Sequence, residues 1–361
     1  MRTVNLKRIG YVDVMGGGQV NVRDGTCFVG HINPPEGTTL IDVKDPASPR
    51  VLSTVKLPLH MHSHKVRSKD GLMMVNSEAF PEFNVTPELE PGLRLFDISG
   101  RERPRQISLF RTGGRGVHRF EFDGTYAFLS TEMEGYQGNI IVIVDLTDPL
   151  KPREVGRWWM EGQWAAGGES PSEEGVLHRV HHPVREGDRL YVGCCHAGMA
   201  IVDISDLSAP KTISRHPLHG LFSHTVLPVE DKNGSPYVIA VDEGWWDMAG
   251  AFSVVDIADL SAPRLVKTVE MPEGKERGIW QPHQPHEEII EGFAFVAWFS
   301  HGLVVVDVSD PANAQRVAHH LPAMRSEFGP LSNDVFVDKA NRRVYLLDRV
   351  LGLEILEYDV R

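Results

Sequence analysis

Apolar residues in this chain come in short runs that close on an acid and a polar turn, and the pattern returns about every fifty residues. The runs read Thr39-Leu40-Ile41-Asp42-Val43, Leu93-Arg94-Leu95-Phe96-Asp97-Ile98 and Ile141-Val142-Ile143-Val144-Asp145-Leu146, then Ala200-Ile201-Val202-Asp203-Ile204, Ser253-Val254-Val255-Asp256-Ile257 and Val304-Val305-Val306-Asp307-Val308. A seventh, Glu354-Ile355-Leu356-Glu357-Tyr358, carries Glu357 where the others carry aspartate. Turns such as Ser205-Asp206-Leu207-Ser208-Ala209-Pro210 follow, in which Asp and Ser bind local backbone and proline presets φ. Each turn leads into a β-branched run, as at Arg153–Trp158, and a further strand such as His118–Phe122 opens the next unit. Alternation at period two with turn residues every eight to twelve positions predicts strands throughout. The three-and-four spacing of a helix is absent from these segments.

Successive acidic residues lie 55, 48, 58, 53, 51 and 50 apart, room for four short strands per unit. A repeat of that size predicts an all-β, seven-bladed β-propeller, so residues 1–361 are expected to form one domain although length alone suggests two. The last unit ends soon after Glu357 and lacks an outer strand, while Val4–Tyr11 reads like one. The N-terminal strand is therefore expected to close the propeller and cover the open sheet edge. The recurring Asp42, Asp97, Asp145, Asp203, Asp256 and Asp307 are read as turn caps. These segments resemble the LVIVD repeat, a family of bacterial and archaeal propeller proteins; the resemblance implies the fold and leaves the chemistry open.

Composition narrows the partners. Net charge is −12 and the pI about 5.8, which argues against nucleic acid and anionic membranes. No apolar run has the length of a membrane span, and residues 1–8 lack the apolar stretch of a secretory signal. A leader removed earlier is left open. Three cysteines, two of them adjacent (Cys194 and Cys195), do not make a disulfide framework, so a reducing cytoplasm is expected.

The candidate chemistry lies in the histidines. In a blade, the start of the first strand and the end of the second share one face, and the connections on that face are long and variable. First strands are expected to begin at His64, His118, His182, His224 and His286, with Gln19 and Asn333 at the same level in the first and last units. Counting about 14 residues on from each histidine reaches Glu78, Glu132, His196 and His301, and a longer hairpin brings Glu243 opposite His224. Imidazoles crowded in a channel stay neutral and offer lone pairs to a transition metal. His64, His118, His182, His224 and His286 are the expected ligands, at least three of them on one ion, and which four ligate is left open. Glu78, Glu132 and Glu243 are each expected to accept the spare ring N–H of the histidine in their own blade, with His196 and His301 as further catalytic candidates. His181 is adjacent to His182, and a one-residue slip exchanges them. His31, His60, His62, His178, His181 and His283 are read as structural or substrate-facing, and the cysteines beside His196 as buried thiols. Trp164, Trp245 and Trp246 fall in long loops where they could wall a substrate pocket.

The architecture also resembles that of carotenoid cleavage oxygenases, propellers with four-histidine iron backed by glutamates, and of the selenium-binding, methanethiol-oxidase proteins, for which copper is proposed. Both resemblances imply a metal-dependent oxidoreductase. The expectation is a cytoplasmic non-haem iron oxygenase or dioxygenase acting on a small organic molecule, aromatic ones included; the ion is a divalent transition metal, Fe(II) first, with copper or zinc as alternatives. The other readings are a metal-assisted hydrolase or lyase, and a non-enzymatic interaction propeller. The oligomeric state is left open.

Overall fold

A computed structural model describes residues 2–82, 86–171, 176, 178–218, 222–244, 250–270, 279, 281–324 and 327–361. Among these residues the strands fall into seven sheets of four or five, each made of consecutive antiparallel strands apart from one exchange at the ends of the chain. The first strands of the seven blades are Gly17–Arg23, Val66–Lys69, Val117–Phe122, His182–Glu186, Ser223–Glu230, Gln284–Pro285 and Ser332–Asp338. This is the seven-bladed β-propeller that the repeat predicts.

The repeated motif forms the third strand of each blade. In the third blade, Asn139–Asp145 is buried along its whole length, which explains its unbroken apolar run. Its side chains join Phe128, Leu190, Val192 and Val202 on one face and Leu95, Phe120 and Leu129 on the other. The aspartate ending each such strand accepts the backbone N–H two residues on, for example at Lys44, Ser99, Thr147, Ser205, Ala258 and Ser309, at 2.8–3.1 Å. The six aspartates are turn caps, as their recurrence implied.

The chain clusters into two compact units. One comprises residues 1–27, 41–51 and 224–361, the other residues 28–40 and 52–223. Within the first, the N-terminal strand Val4–Val12 pairs antiparallel with Gly352–Val360, supplying the outer strand of the last blade. Val4 packs into a core with Phe293, Phe295, Leu356 and Tyr358, and Arg8 reaches the buried Glu354 at 3.0 Å. Gly10 sits at a register shift in this strand, where a Cβ would lie 1.8 Å from the Pro46 carbonyl oxygen. Gly156 repeats the arrangement in the outer strand of the third blade, 1.9 Å from the Leu207 carbonyl oxygen. The borrowed strand thus packs like one of the blade's own.

Candidate metal centre

Strand register decides which side chains meet. In the second blade His62, not His64, stands opposite Glu78. In the third, a bulge at His118 leaves Glu132 beside Gly116, where its carboxylate accepts from the Arg115 backbone and guanidinium at 2.8 and 3.0 Å. His182 faces Gly193, and His286 faces Phe295 with its ring 5.3 Å from Phe336. The expected own-blade pairs His118–Glu132, His182–His196 and His286–His301 therefore do not form; His64 is out of register with Glu78, and the two come together only in a group with His62, ligand atoms within 4.8 Å of one another. A fixed count of about 14 overshoots in these hairpins, by one residue in the second blade and by six in the sixth, and in the fourth and sixth it carries the supposed partner past the strand end.

His224 and Glu243 do come together, joined by His283, but not as the sequence predicts: Thr225, not Glu243, takes the spare ring N–H of His224. Ligand atoms of these three residues lie within 4.8 Å of one another. His224 leads the strand Ser223–Glu230, Glu243 follows Pro236–Asp242, and His283 precedes Gln284–Pro285. The tautomers follow from the neighbours. The Gln284 amide donates to the Pro285 carbonyl, so its oxygen accepts from the Thr225 hydroxyl at 3.0 Å. With that proton committed, the Thr225 oxygen accepts from His224 Nδ1 at 2.9 Å. His283 Nδ1 donates to the Asn333 carbonyl, which can only accept. Neutral rings so protonated carry their lone pairs on Nε2, and both Nε2 atoms face the Glu243 carboxylate, at 3.9 Å from His224 and 3.8 Å from His283. Three acceptors thus converge at one point, an arrangement that a cation stabilises. Phe299 stacks on His283 at 4.7 Å, and the Arg349 guanidinium lies over Phe299 and donates to Asn333 Oδ1.

The other unit gathers a second group. Glu78 Oε2 accepts from His62 Nε2 and from His118 Nδ1, each at 2.8 Å, while Arg179 approaches Oε1 at 3.4 Å. His118 Nε2 lies 3.0 Å from His181 Nε2, so of the adjacent pair it is His181 that joins His118. His64 completes the row, its ring 4.2 Å from His62 and 5.0 Å from His118. Asn76 binds the Lys65 N–H through its oxygen and donates to both the Val117 carbonyl and His64 Nδ1, so His64 carries its proton on Nε2. Burial, then the charges of His62 and Lys65, hold His64 well below the ordinary imidazole range. Burial, followed by the neighbouring His118 and Arg119, does the same to His181. Burial takes His118 down to about 4 although Glu78 opposes it. Burial would raise Glu78, but the His118 ring and the hydrogen bonds from His118 and His62 outweigh it and keep a carboxylate.

The remaining candidates disperse. His196 is exposed with its ring against Phe222, and His301 is buried with its carbonyl accepting from His319 at 2.6 Å. Trp164 is 41% exposed beside Trp159 at 5.9 Å, and Trp245 and Trp246 lie outside the described residues. Both cysteines beside His196 are buried, and burial pushes the Cys194 thiol up to about 12. Sequence reasoning sets His62, His181 and His283 aside. The available signal is their place just before a first strand, where a side chain reaches the open end of the hairpin.

No helix among the described residues is long and apolar enough to cross a membrane. The LVIVD repeat model matches residues 186–216, 240–271 and 288–317, which contain Asp203, Asp256 and Asp307. No curated protein matches the chain. A solved structure of Raptor from Chaetomium thermophilum superposes with a TM-score of 0.64 at 13% identity, covering 99% of this chain and 30% of that one, a likeness of fold alone. The chain carries LVIVD repeats, folded as a seven-bladed β-propeller.

Proposed function

We propose that this protein is a metal-dependent oxidoreductase, a non-haem iron oxygenase for a small organic substrate, with its ion held by His224, His283 and Glu243. The observation that carries this reading is the pair of fixed Nδ1 donors, which aim two Nε2 lone pairs at one carboxylate. Two histidines and one carboxylate on one side of an ion are the donor set of ferrous oxygenases, and they leave positions for dioxygen and substrate. Metal–ligand bonds of about 2.0–2.2 Å need donor atoms roughly 3.0–3.5 Å apart, so the centre closes by about half an ångström on loading. Thr225 and the Asn333 carbonyl hold the rings in the ligating tautomer while this happens. Glu243 supplies one negative charge against a divalent ion, and bound iron supplies the redox chemistry.

The test is elemental analysis of anaerobically purified protein, with oxygen uptake measured against a panel of small organic compounds. The expected result is iron retained by the parent chain, lost from folded His283→Ala and Glu243→Ala variants, and required for substrate-dependent oxygen uptake. Iron content unchanged in His283→Ala would refute the assignment of ligands. Tightly held zinc with hydrolytic turnover and no oxygen uptake would replace the oxygenase by the metal-assisted hydrolase.

A further inference from the structure

The row of imidazoles around Glu78 is a second place where nitrogen lone pairs are prepared, and it owes nothing to the reading of Glu243. Glu78 fixes two rings at once. Because its Oε2 accepts from His62 Nε2 and His118 Nδ1, the lone pairs of the neutral rings stand on His62 Nδ1 and His118 Nε2. His62 Nδ1 is buried with no hydrogen-bond partner among the described residues. His118 Nε2 lies 3.0 Å from His181 Nε2. In the metal-free chain an N–H···N bond spans that separation, so both Nε2 atoms face one point, and an ion binding there would displace the shared proton. Glu78 is itself engaged by two imidazoles and Arg179, so it orients ligands rather than serving as one.

We propose that His118 and His181, oriented through Glu78, form the bite of a second metal site, and that its ion is copper(II). Two nitrogens 3.0 Å apart, each about 2.0–2.1 Å from an ion, subtend roughly 95°. That angle belongs to tetragonal coordination, which copper(II) adopts, and is narrower than the tetrahedral angle of structural zinc. The donors are uncharged imidazoles, and copper(II) binds nitrogen sites more tightly than the other divalent first-row ions.

The experiment is a copper(II) titration of the metal-stripped full chain, followed by electron paramagnetic resonance and a competing chromophoric chelator. The expected result is an axial signal with splitting from at least two imidazole nitrogens. One equivalent with that signal should persist in the Glu243→Ala/His283→Ala variant and vanish from His118→Ala/His181→Ala. Glu78→Gln should weaken copper binding about 10- to 100-fold with the fold intact by circular dichroism. Where the double variant does not fold, His118→Gln alone reads the same loss. The proposal is overturned if a folded His118 variant keeps the signal, if Glu78→Gln binds copper as tightly as the parent chain, or if Glu243→Ala/His283→Ala abolishes it. Loss of iron from that last variant with copper retained would separate the two sites.

Discussion

Gly10→Ala tests how the N-terminal strand docks. A methyl at this position meets the Pro46 carbonyl oxygen at 1.8 Å, a backbone atom that cannot rotate away, and Ile355 Cδ1 at 3.3 Å. Restoring a tolerable contact of about 3.0–3.2 Å requires the strand or the turn to move by over an ångström, and overpacking of that order costs about 1–3 kcal/mol. The strand also carries Val4 and Val12, both buried, and the Arg8 contact to Glu354, so displacement loosens these as well. Gly100→Ala is the internal control, because a methyl there would meet nothing within 4 Å and the change should stay within about 0.5 kcal/mol of the parent. Gly156→Ala, 1.9 Å from the Leu207 carbonyl oxygen, should reproduce the Gly10 effect in the third blade. Urea and thermal unfolding of the three variants supply the comparison. Equal stability of Gly10→Ala and Gly100→Ala would refute the docking argument.

Glu354 is 3% exposed and accepts from His320 at 2.7 Å, Arg8 at 3.0 Å and the Ala323 N–H at 3.2 Å. Burial would raise its carboxyl, but the bonds from His320 and Arg8 prevail and lower it below the ordinary 4.5. Its stabilisation is therefore present above that pH and lost as pH falls through the lower folded value. Glu354→Gln should cost about 1–3 kcal/mol near neutrality, and the deficit should shrink in acid; a pH-independent deficit in unfolding titrations would contradict this. Glu132→Gln should leave metal retention unchanged, because Glu132 is engaged by Arg115, and iron or copper lost from this variant would show that contact to be misread. Cys27, Cys194 and Cys195 are all buried, so a thiol reagent should label the native chain slowly and three thiols on unfolding; fast labelling of native protein would contradict the packing.

The scaffold was legible because its signals are local. Apolar runs, the Asp that caps each turn and the spacing near fifty residues all act within a blade, and the unfinished last unit pointed to the N-terminal strand. The proposed centre is half legible. His224 and Glu243 stand out in the sequence, but His283 does not, since a strand start cannot be fixed to three residues when the strand itself is only Gln284–Pro285. The Glu78 group failed differently. Its carboxylate serves His62 in its own blade and His118 in the next, and contact between blades leaves no trace in residue counts along one hairpin. The bulge at His118 likewise has no marker in the local sequence.

The turn-capping aspartate ends the third strand of a blade, whereas the histidines stand at or just before the first strand, at the other end of the same antiparallel sheet. What defines the repeat and what carries the histidines therefore occupy opposite ends of a blade, with the length of the strands between them. At the histidine end the side chain differs from blade to blade: Gln19 and Asn333 stand near the start of the first strand in the first and last blades, imidazoles in the others.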